Sequence, residues 1–217
     1  MHDLAPLETL SRDLPQTKRG HERCVSLLES ATELFLEHGY DAVSLDDIVN
    51  HAGGSKASIY KYFGNKEGLF KSICDYRRNE FFKDIFLQIQ HDEIKDFREY
   101  LISTMVNFLM HLNEPANAAF LRLILEQSQR NADIARHIHE CGPEQVQCAI
   151  SKYLQSAHNA GYLHCENPAF SAQFYFGILR NIEWRILMGL PLEESVQENI
   201  NYITYCVDRF LDAHQKP

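Results

Sequence analysis

Three residues close together in the sequence carry side chains that could bind a metal ion. His137, His139 and Cys141 occupy alternate positions, and Cys148 follows soon after. On a helix, His137 and Cys141 share one face, and imidazole and thiolate are both ligands of Zn²⁺. One such pair is weak support for a metal site, and solvated histidines are the favoured interpretation. We therefore predict no metal and no cofactor.

A second group of side chains is basic. Residues 50–80 contain six lysines and arginines and three acidic residues, which gives this window a charge of 6 − 3 = +3, while the whole chain has a formal charge of −9. A local positive patch on an acidic protein is typical of a surface that contacts phosphates, although an ordinary solvated face has the same composition. Any nucleic-acid site must therefore be local.

Within this basic window a short predicted helix offers hydrogen-bond donors. Ile59 and Phe63 are one turn apart and are predicted to face inward. The other side chains then project outward, where they could reach phosphates or base edges in a major groove. Tyr60 and Tyr62 could donate hydroxyl groups to phosphates, or they could be partly buried and stabilise the domain. The outward donors on the other faces of this helix are Lys56, Ser58, Lys61 and Tyr62.

Enzymatic chemistry is not expected. The chain has no nucleophile elbow, P-loop, dinucleotide fingerprint or H-E-x-x-H motif, so we predict no catalytic residue. Its cysteines include no C-x-x-C pair, and we interpret them as reduced thiols, mostly buried in the core. A thiol sensor that uses Cys141 and Cys148 is an alternative. The six cysteines are Cys24, Cys74, Cys141, Cys148, Cys165 and Cys206.

Length and composition indicate a folded protein outside the membrane. The 217 residues are 45% hydrophobic, enough for one or two ordinary domains. Residues 1–20 have no continuous apolar run, so no secretory signal is expected. The most apolar stretch carries Arg180, Glu183 and Arg185, too many charges for a bilayer span. We expect a soluble cytoplasmic protein.

Helical periodicity dominates the chain and predicts an all-α fold of about nine helices. In the first helix apolar residues recur every three or four positions, and Gly39 ends the pattern. Ser44 and Asp47 form a capping pattern for a two-turn second helix. Gly53 and Gly54 stop that helix, so a tight turn leads into the third.

The later helices are longer. Ser55 can cap the third helix and Asn65 the fourth. Pro143 falls inside one predicted segment, which can break at Gly142-Pro143. The long helices are predicted at 21–38, 66–90, 94–112, 115–128, 131–159, 168–189 and 192–214.

Residues 21–70 resemble the TetR/AcrR class of bacterial transcriptional regulators, because a turn, a reading helix and the entry into helix 4 follow one another at that family's spacing. Gly54 replaces the customary apolar turn residue and loosens the turn, and Ala57 replaces a common glycine. The residues that carry the resemblance are Ser44-Leu45-Asp46-Asp47-Ile48, Ala52-Gly53 and Ser55-Lys56-Ala57-Ser58-Ile59-Tyr60-Lys61-Tyr62-Phe63-Gly64-Asn65-Lys66-Glu67-Gly68-Leu69-Phe70.

The resemblance implies roles for individual residues. Ser44 and Tyr60 are expected at DNA phosphates, and Lys66 at the DNA backbone near the start of helix 4. Bases or phosphates in the groove are expected to meet Lys56, Ser58, Lys61 and Tyr62.

The resemblance also implies a domain organisation. A flexible tail over 1–18 precedes a helix-turn-helix DNA-binding domain over 19–66. Helix 4, over 66–90, joins it to a ligand-binding and dimerisation domain over 91–217.

A bundle of long helices rich in aromatic residues can enclose an apolar cavity with a few polar anchors, although ordinary core packing is the favoured interpretation of each single aromatic residue. The candidate ligand-binding residues are Phe108, Arg122, Glu126, Tyr175, Arg180 and Trp184.

The last two predicted helices offer a dimer surface, since their apolar residues follow a seam spacing that could build an intermolecular four-helix bundle. The same spacing also serves packing within one chain. The candidate dimer residues are Ile178, Ile182, Ile186, Val196, Ile200, Ile203, Val207 and Phe210.

These observations predict a ligand-responsive, sequence-specific DNA-binding regulator. It would act as a homodimeric repressor that a small apolar or amphipathic effector releases from a near-palindromic double-stranded DNA operator. Two alternatives stay open at this point: a metal- or thiol-sensing regulator of the same fold, and a helical protein-interaction module without specific DNA binding.

Overall fold

The computed structural model describes residues 17–91, 97–190, 192 and 195–215. Within these residues the chain forms eleven α-helices and no strand, which confirms the all-α prediction. Of the tail predicted over 1–18, residues 1–16 lie outside the described residues. The helices are α1 (Lys18–His38), α2 (Leu45–Ala52), α3 (Lys56–Phe63), α4 (Lys66–His91), α5 (Phe97–Asn113), α6 (Pro115–Arg130), α7 (Ala132–Cys141), α8 (Pro143–Asn159), α9 (Pro168–Gly177), α10 (Arg180–Leu187) and α11 (Val196–Ala213).

Two predicted segments each form two helices. The segment 131–159 breaks at Gly142, as Pro143 had indicated, because proline cannot continue the preceding helix. The prediction of one helix over 168–189 was wrong. The chain leaves α9 after Gly177, a poor helix former, and α10 begins at Arg180.

The predicted caps are confirmed at two of three positions. Ser44 and Asp47 form a reciprocal capping box at the start of α2. At the start of α4 the Asn65 side chain accepts a 2.7 Å hydrogen bond from the backbone N–H of Gly68. The expectation for Ser55 was wrong, because its side chain makes no capping hydrogen bond to α3.

The chain divides into two compact units. Unit 1 holds the described residues up to Phe82 together with Arg122–Cys141, and unit 2 holds the rest. Residues 122–141, which lie within the predicted domain over 91–217, group by their contacts with unit 1.

Unit 1 has its own apolar core. Leu27, Ile48 and Ile59 are fully buried, one from each of its first three helices. Phe35 and Phe70 meet edge to face with ring centroids 6.0 Å apart. Burial of Ile59 fixes which face of α3 is left for solvent.

Unit 2 is built around Tyr175, which is completely buried. Its hydroxyl donates a 2.6 Å hydrogen bond to the carbonyl oxygen of Leu101 on α5, so the polar end of the ring has a partner. The Phe210 ring of α11 lies 5.7 Å from the Tyr175 ring between centroids.

All six cysteines are free, and their expected burial was largely wrong. Cys24 and Cys165 are buried, and Cys148 is exposed. Cys74, Cys141 and Cys206 are partly exposed. A cysteine on a helix edge packs one side against the core while the other side remains open.

Among the helices of the described residues, none combines the length and the apolar character needed to span a membrane.

Candidate DNA-binding site

The site is the outer face of α3, which α2 and a glycine turn hold in position. Ile59 is buried and sets the inner face. Lys56, Tyr60 and Lys61 are exposed, and Ser58 and Tyr62 are partly exposed. The structure therefore brings together, on one two-turn helix, every α3 side chain that the sequence predicted as a donor.

Tyr60 and Lys61 are exposed neighbours on this face. Tyr60 keeps 55% of its surface exposed. The Lys61 ammonium lies 5.3 Å from the centroid of the Tyr62 ring, a cation–π distance. An exposed hydroxyl and an exposed ammonium on neighbouring residues suit contacts with phosphates and base edges.

Lys56 has a partner that the sequence analysis missed. Its ammonium lies 2.7 Å from the carboxylate of Asp46 on α2, and this hydrogen bond raises the pKa of Lys56. The ion pair links the first turns of α2 and α3. The sequence contained one sign of this ion pair, since an acidic residue lies in the first turn of α2 and a basic residue lies in the first turn of α3.

Ser44 is exposed at the N-terminus of α2, and its hydroxyl is already used in the cap. The hydroxyl lies 2.6 Å from the Asp47 carboxylate and accepts from the Asp47 backbone N–H at 3.2 Å. The Ser44 hydroxyl and the Ser44 backbone N–H, which donates to the same carboxylate at 2.8 Å, lower the pKa of Asp47. The helix N-terminus still presents backbone N–H groups that attract phosphate.

Lys66 is held inside unit 1. Its ammonium donates to the carbonyl oxygen of Tyr40. It also lies 4.3 Å from the centroid of the Tyr40 ring and 5.7 Å from that of Phe35. Burial lowers the pKa of Lys66. This environment favours a structural role over the expected contact with the DNA backbone.

The turn between α2 and α3 is shaped by Gly54 and Arg23. Gly54 has φ of +116°, and a Cβ built there would lie 1.3 Å from the terminal Nη2 of Arg23. Arg23 Nη1 donates a 3.2 Å hydrogen bond to the carbonyl oxygen of Ala52, the last residue of α2. Glycine thus leaves room for a side chain of α1 to hold the turn, where the sequence had indicated only a looser turn.

The candidate ligand-binding residues are divided between the two units. In unit 2, Phe108 contacts Phe176 at 6.4 Å between ring centroids, and Phe176 contacts Tyr175 at 5.8 Å. Arg180 and Trp184 are exposed in the same unit. Arg122 and Glu126 are exposed residues of unit 1, where Glu126 pairs with Arg130 at 2.9 Å.

Most candidate dimer residues lie in the core of unit 2. Six are buried within the single chain, Ile200 is partly exposed, and Val196 keeps 46% of its surface exposed. The spacing allowed either a dimer surface or packing within one chain, and in the structure these six residues pack within one chain. The buried six are Ile178, Ile182, Ile186, Ile203, Val207 and Phe210.

Helices α9, α10 and α11 also carry exposed aromatic residues, to which we give the collective name aromatic face. The sequence analysis missed it, although Phe170 and Phe174 are four positions apart and Tyr202 and Tyr205 three, spacings that put each pair on one side of a helix. Each member keeps between 45% and 68% of its surface exposed. The aromatic face consists of Phe170, Phe174, Trp184, Tyr202 and Tyr205.

This fold, with a capped helix, a glycine turn and a short helix exposing donors, is that of a helix-turn-helix DNA-binding protein. Two family models match the chain. Residues 27–73 match the tetR family of bacterial regulatory proteins, and residues 99–216 match the C-terminal domain of AefR-like transcriptional repressors. The chain belongs to the tetR family of bacterial regulatory proteins. It is a DNA-binding transcriptional regulator and not an enzyme.

Relatives of similar length support this assignment. The chain is 28% identical over 174 residues to the HTH-type transcriptional repressor ComR of Escherichia coli, covering 78% of this chain and 82% of ComR. It is also 28% identical over 138 residues to IcaR of Staphylococcus epidermidis, a negative regulator of a biofilm operon, covering 62% of this chain and 70% of IcaR.

Solved structures share the architecture. A TetR-family regulator from Mesorhizobium loti superposes with a TM-score of 0.81 at 23% identity, covering 93% of this chain and all of that one. The flavonoid-responsive regulator FrrA superposes with a TM-score of 0.74 at 28% identity, covering 89% of this chain and 97% of that one.

Proposed function

We propose that this regulator is a repressor that binds a near-palindromic operator as a homodimer and leaves it when a small effector binds. The observation that carries the proposal is the outer face of α3, where Tyr60 and Lys61 are exposed beside Ser58 and Tyr62. The names of ComR and IcaR, a repressor and a negative regulator, support repression over activation.

In this proposal α3 enters the major groove. Lys61 and Tyr62 reach base edges or phosphates, Tyr60 reaches a phosphate, and the N-terminus of α2 at Ser44 rests on the backbone. Lys56 can exchange its ion pair with Asp46 for a phosphate at little cost, because water and salt screen an ion pair between exposed side chains.

A dimer supplies the second reading helix. Two copies of α3 about 34–36 Å apart would meet successive major grooves on one side of a palindromic site. We propose that the aromatic face of unit 2 forms the dimer surface, since it leaves large apolar side chains in solvent in the single chain. Tyrosine and tryptophan are enriched in such interfaces.

The effector is proposed to be small and apolar or amphipathic, and to bind unit 2 among aromatic side chains such as Phe108 and Phe176. FrrA, which superposes on this chain, is named for its response to flavonoids, a class of aromatic molecule, and this favours an aromatic or apolar effector. An effector releases the protein only by binding the DNA-free state more tightly. By linkage, DNA must weaken effector binding by the same factor.

The test is selection of binding sites from random duplex DNA by the purified protein, followed by titration of the selected site at two salt concentrations. We expect a palindromic site, salt-sensitive binding, and a loss of about 1–3 kcal/mol in Lys61→Ala if the side chain reads a base. Lys152→Ala, an exposed lysine on α8, is the matched control and should bind like wild type. No enrichment of any site, or equal loss in both variants, would overturn the assignment of α3 as the reading helix.

A further inference from the structure

Three side chains with metal-binding atoms converge inside unit 1. Asp75 comes from α4, and His137 and Cys141 come from one face of α7. One ligand atom from each lies within 4.8 Å of the others. The sequence had paired His137 with Cys141, but nothing in the spacing along the chain could bring in Asp75.

The hydrogen bonds fix the direction of the imidazole ring. Its Nε2 lies 3.0 Å from a carboxylate oxygen of Asp75, and its Nδ1 lies 3.8 Å from the sulfur of Cys141. With Asp75 ionised, Nε2 carries the proton and donates it, so the lone pair of Nδ1 points toward the thiol. The ring therefore presents one nitrogen to a carboxylate and the other to a sulfur.

Arg78 holds the carboxylate in place from the opposite side. Its guanidinium lies 3.0 Å from the second carboxylate oxygen of Asp75 and also donates to the backbone carbonyl of Cys141. Asp75 is 9% exposed, and the His137 side chain 27%. The carboxylate is thus neutralised and enclosed, while the histidine remains open to an ion from solvent.

We propose that His137 Nδ1 and Cys141 Sγ bind a divalent transition-metal ion, with Asp75 orienting the imidazole through Nε2 and water completing the coordination. Zn–N bonds of about 2.0 Å and Zn–S bonds of about 2.3 Å fit two ligand atoms 3.8 Å apart. A carboxylate that accepts from the second nitrogen of a ligating histidine is a recurrent arrangement at zinc sites.

The donor atoms set the class of ion. Thiolate and imidazole select Zn²⁺ and its transition-metal neighbours over Mg²⁺ and Ca²⁺, which require oxygen ligands. On binding, the Cys141 thiol releases its proton to solvent as the S–metal bond forms. Arg78 keeps both of its partners, because the ion enters on the far side of the ring from Asp75.

The test uses Co²⁺ as a spectroscopic probe on the full-length protein and requires no DNA, so its result is independent of the proposed operator binding. Burial raises the pKa of Cys141, so the titration is run at pH 8 or above. We expect a thiolate-to-cobalt charge-transfer band that saturates at one Co²⁺ ion per chain. Added Zn²⁺ should displace Co²⁺ and remove the band, whereas added Mg²⁺ should leave it unchanged. Absence of a thiolate band in the wild-type protein would overturn the proposal.

Variants distinguish this site from adventitious binding. Cys141→Ser should abolish the charge-transfer band, and His137→Ala should weaken Co²⁺ binding at least tenfold. Asp75→Asn should weaken it by about 10–100-fold. His139→Ala, on the exposed side of the same helix, and Cys148→Ser, an exposed thiol of unit 2, are matched controls that should leave the titration unchanged.

Circular dichroism of each variant separates loss of a ligand from loss of the fold. A band that survives in folded Cys141→Ser, or that disappears in either control variant, would overturn the assignment. If Asp75→Asn unfolds, the titrations of His137→Ala and Cys141→Ser still test the proposal. Both replaced side chains are partly exposed, and in both variants Asp75 keeps its ion pair with Arg78.

Discussion

The ammonium of Lys66 donates to the backbone carbonyl of Tyr40 while lying 4.3 Å from the centroid of the same residue's ring. One lysine thus fixes both the turn after α1 and the start of α4. The hydrogen bond and the cation–π contact each contribute on the order of 1 kcal/mol.

We predict that Lys66→Met lowers the free energy of unfolding by about 1–2 kcal/mol, measured by urea denaturation. Lys61→Met removes the same charge from an exposed position and should leave stability within about 0.5 kcal/mol. Operator binding should be affected more by Lys61→Met than by Lys66→Met. In Lys61→Met the slope of log affinity against log salt concentration should become shallower by about one unit. Equal unfolding midpoints for the two variants would contradict the structural role of Lys66.

Gly54 is predicted to be intolerant of any side chain. Gly54→Ala places a β-carbon at φ of +116°, where an L side chain is strained, and displaces the Arg23 guanidinium from the turn, so it should destabilise the protein by about 1–3 kcal/mol. Gly177→Ala is the comparison, because a Cβ there meets nothing within 4 Å in a helical backbone. That change should be neutral or stabilising by up to about 1 kcal/mol. Thermal unfolding of both variants, followed by circular dichroism, checks the contrast.

The two sets of apolar residues in unit 2 should respond differently to substitution. Trp184→Ser and Tyr205→Ser remove exposed rings of the aromatic face and should shift the protein toward monomer in sedimentation with little change in folding. Phe210→Ala empties a buried position and should lower the free energy of unfolding by about 3–5 kcal/mol. A monomer–dimer equilibrium unchanged in both serine variants would mean that the dimer uses another surface.

Acid should weaken unit 1 partly through Glu67. Hydrogen bonds from Lys71 and Asn131 lower the pKa of Glu67 below its usual 4.5. The stability contributed by this carboxylate is therefore fully present above pH 4.5 and is lost as the pH falls through the lowered pKa. Below pH 4.5 the free energy of unfolding of Glu67→Gln should fall less steeply with decreasing pH than that of the wild-type protein. Glu29→Gln, an exposed glutamate of α1, should follow the wild-type curve.

The helices and the reading face could be predicted because their signals are local. Capping residues such as Ser44 and Asn65 act within one turn, and the Ile59–Phe63 spacing fixes the orientation of α3. Partners distant in sequence could not be predicted. Asp75 with His137, Arg23 with Gly54 and Lys66 with Tyr40 are brought together by packing, which leaves no periodic signature along the chain.

The seam on the last helix illustrates a second limit. A spacing of three and four residues shows that Ile203, Val207 and Phe210 lie on one side of α11, but it does not identify the partner of that side. In the structure the partner is the chain's own core. The spacing of the seam residues did not distinguish them from the aromatic face in the sequence. The two sets can be distinguished in the structure, because the seam residues named here are buried and the aromatic residues are exposed.

The discontinuity of unit 1 has a consequence for biosynthesis. Leu123 and Ile134 are buried residues of this unit, and Asn131 donates a 2.9 Å hydrogen bond to Glu67. A nascent chain emerging from the ribosome cannot complete these contacts until residue 134 has cleared the exit tunnel, well after the reading helix itself has been released. The reading helix and residues 122–141 are therefore separated in time during translation, and a gene fragment ending at residue 82 would encode the reading helix without the buried side chains that 122–141 adds to unit 1.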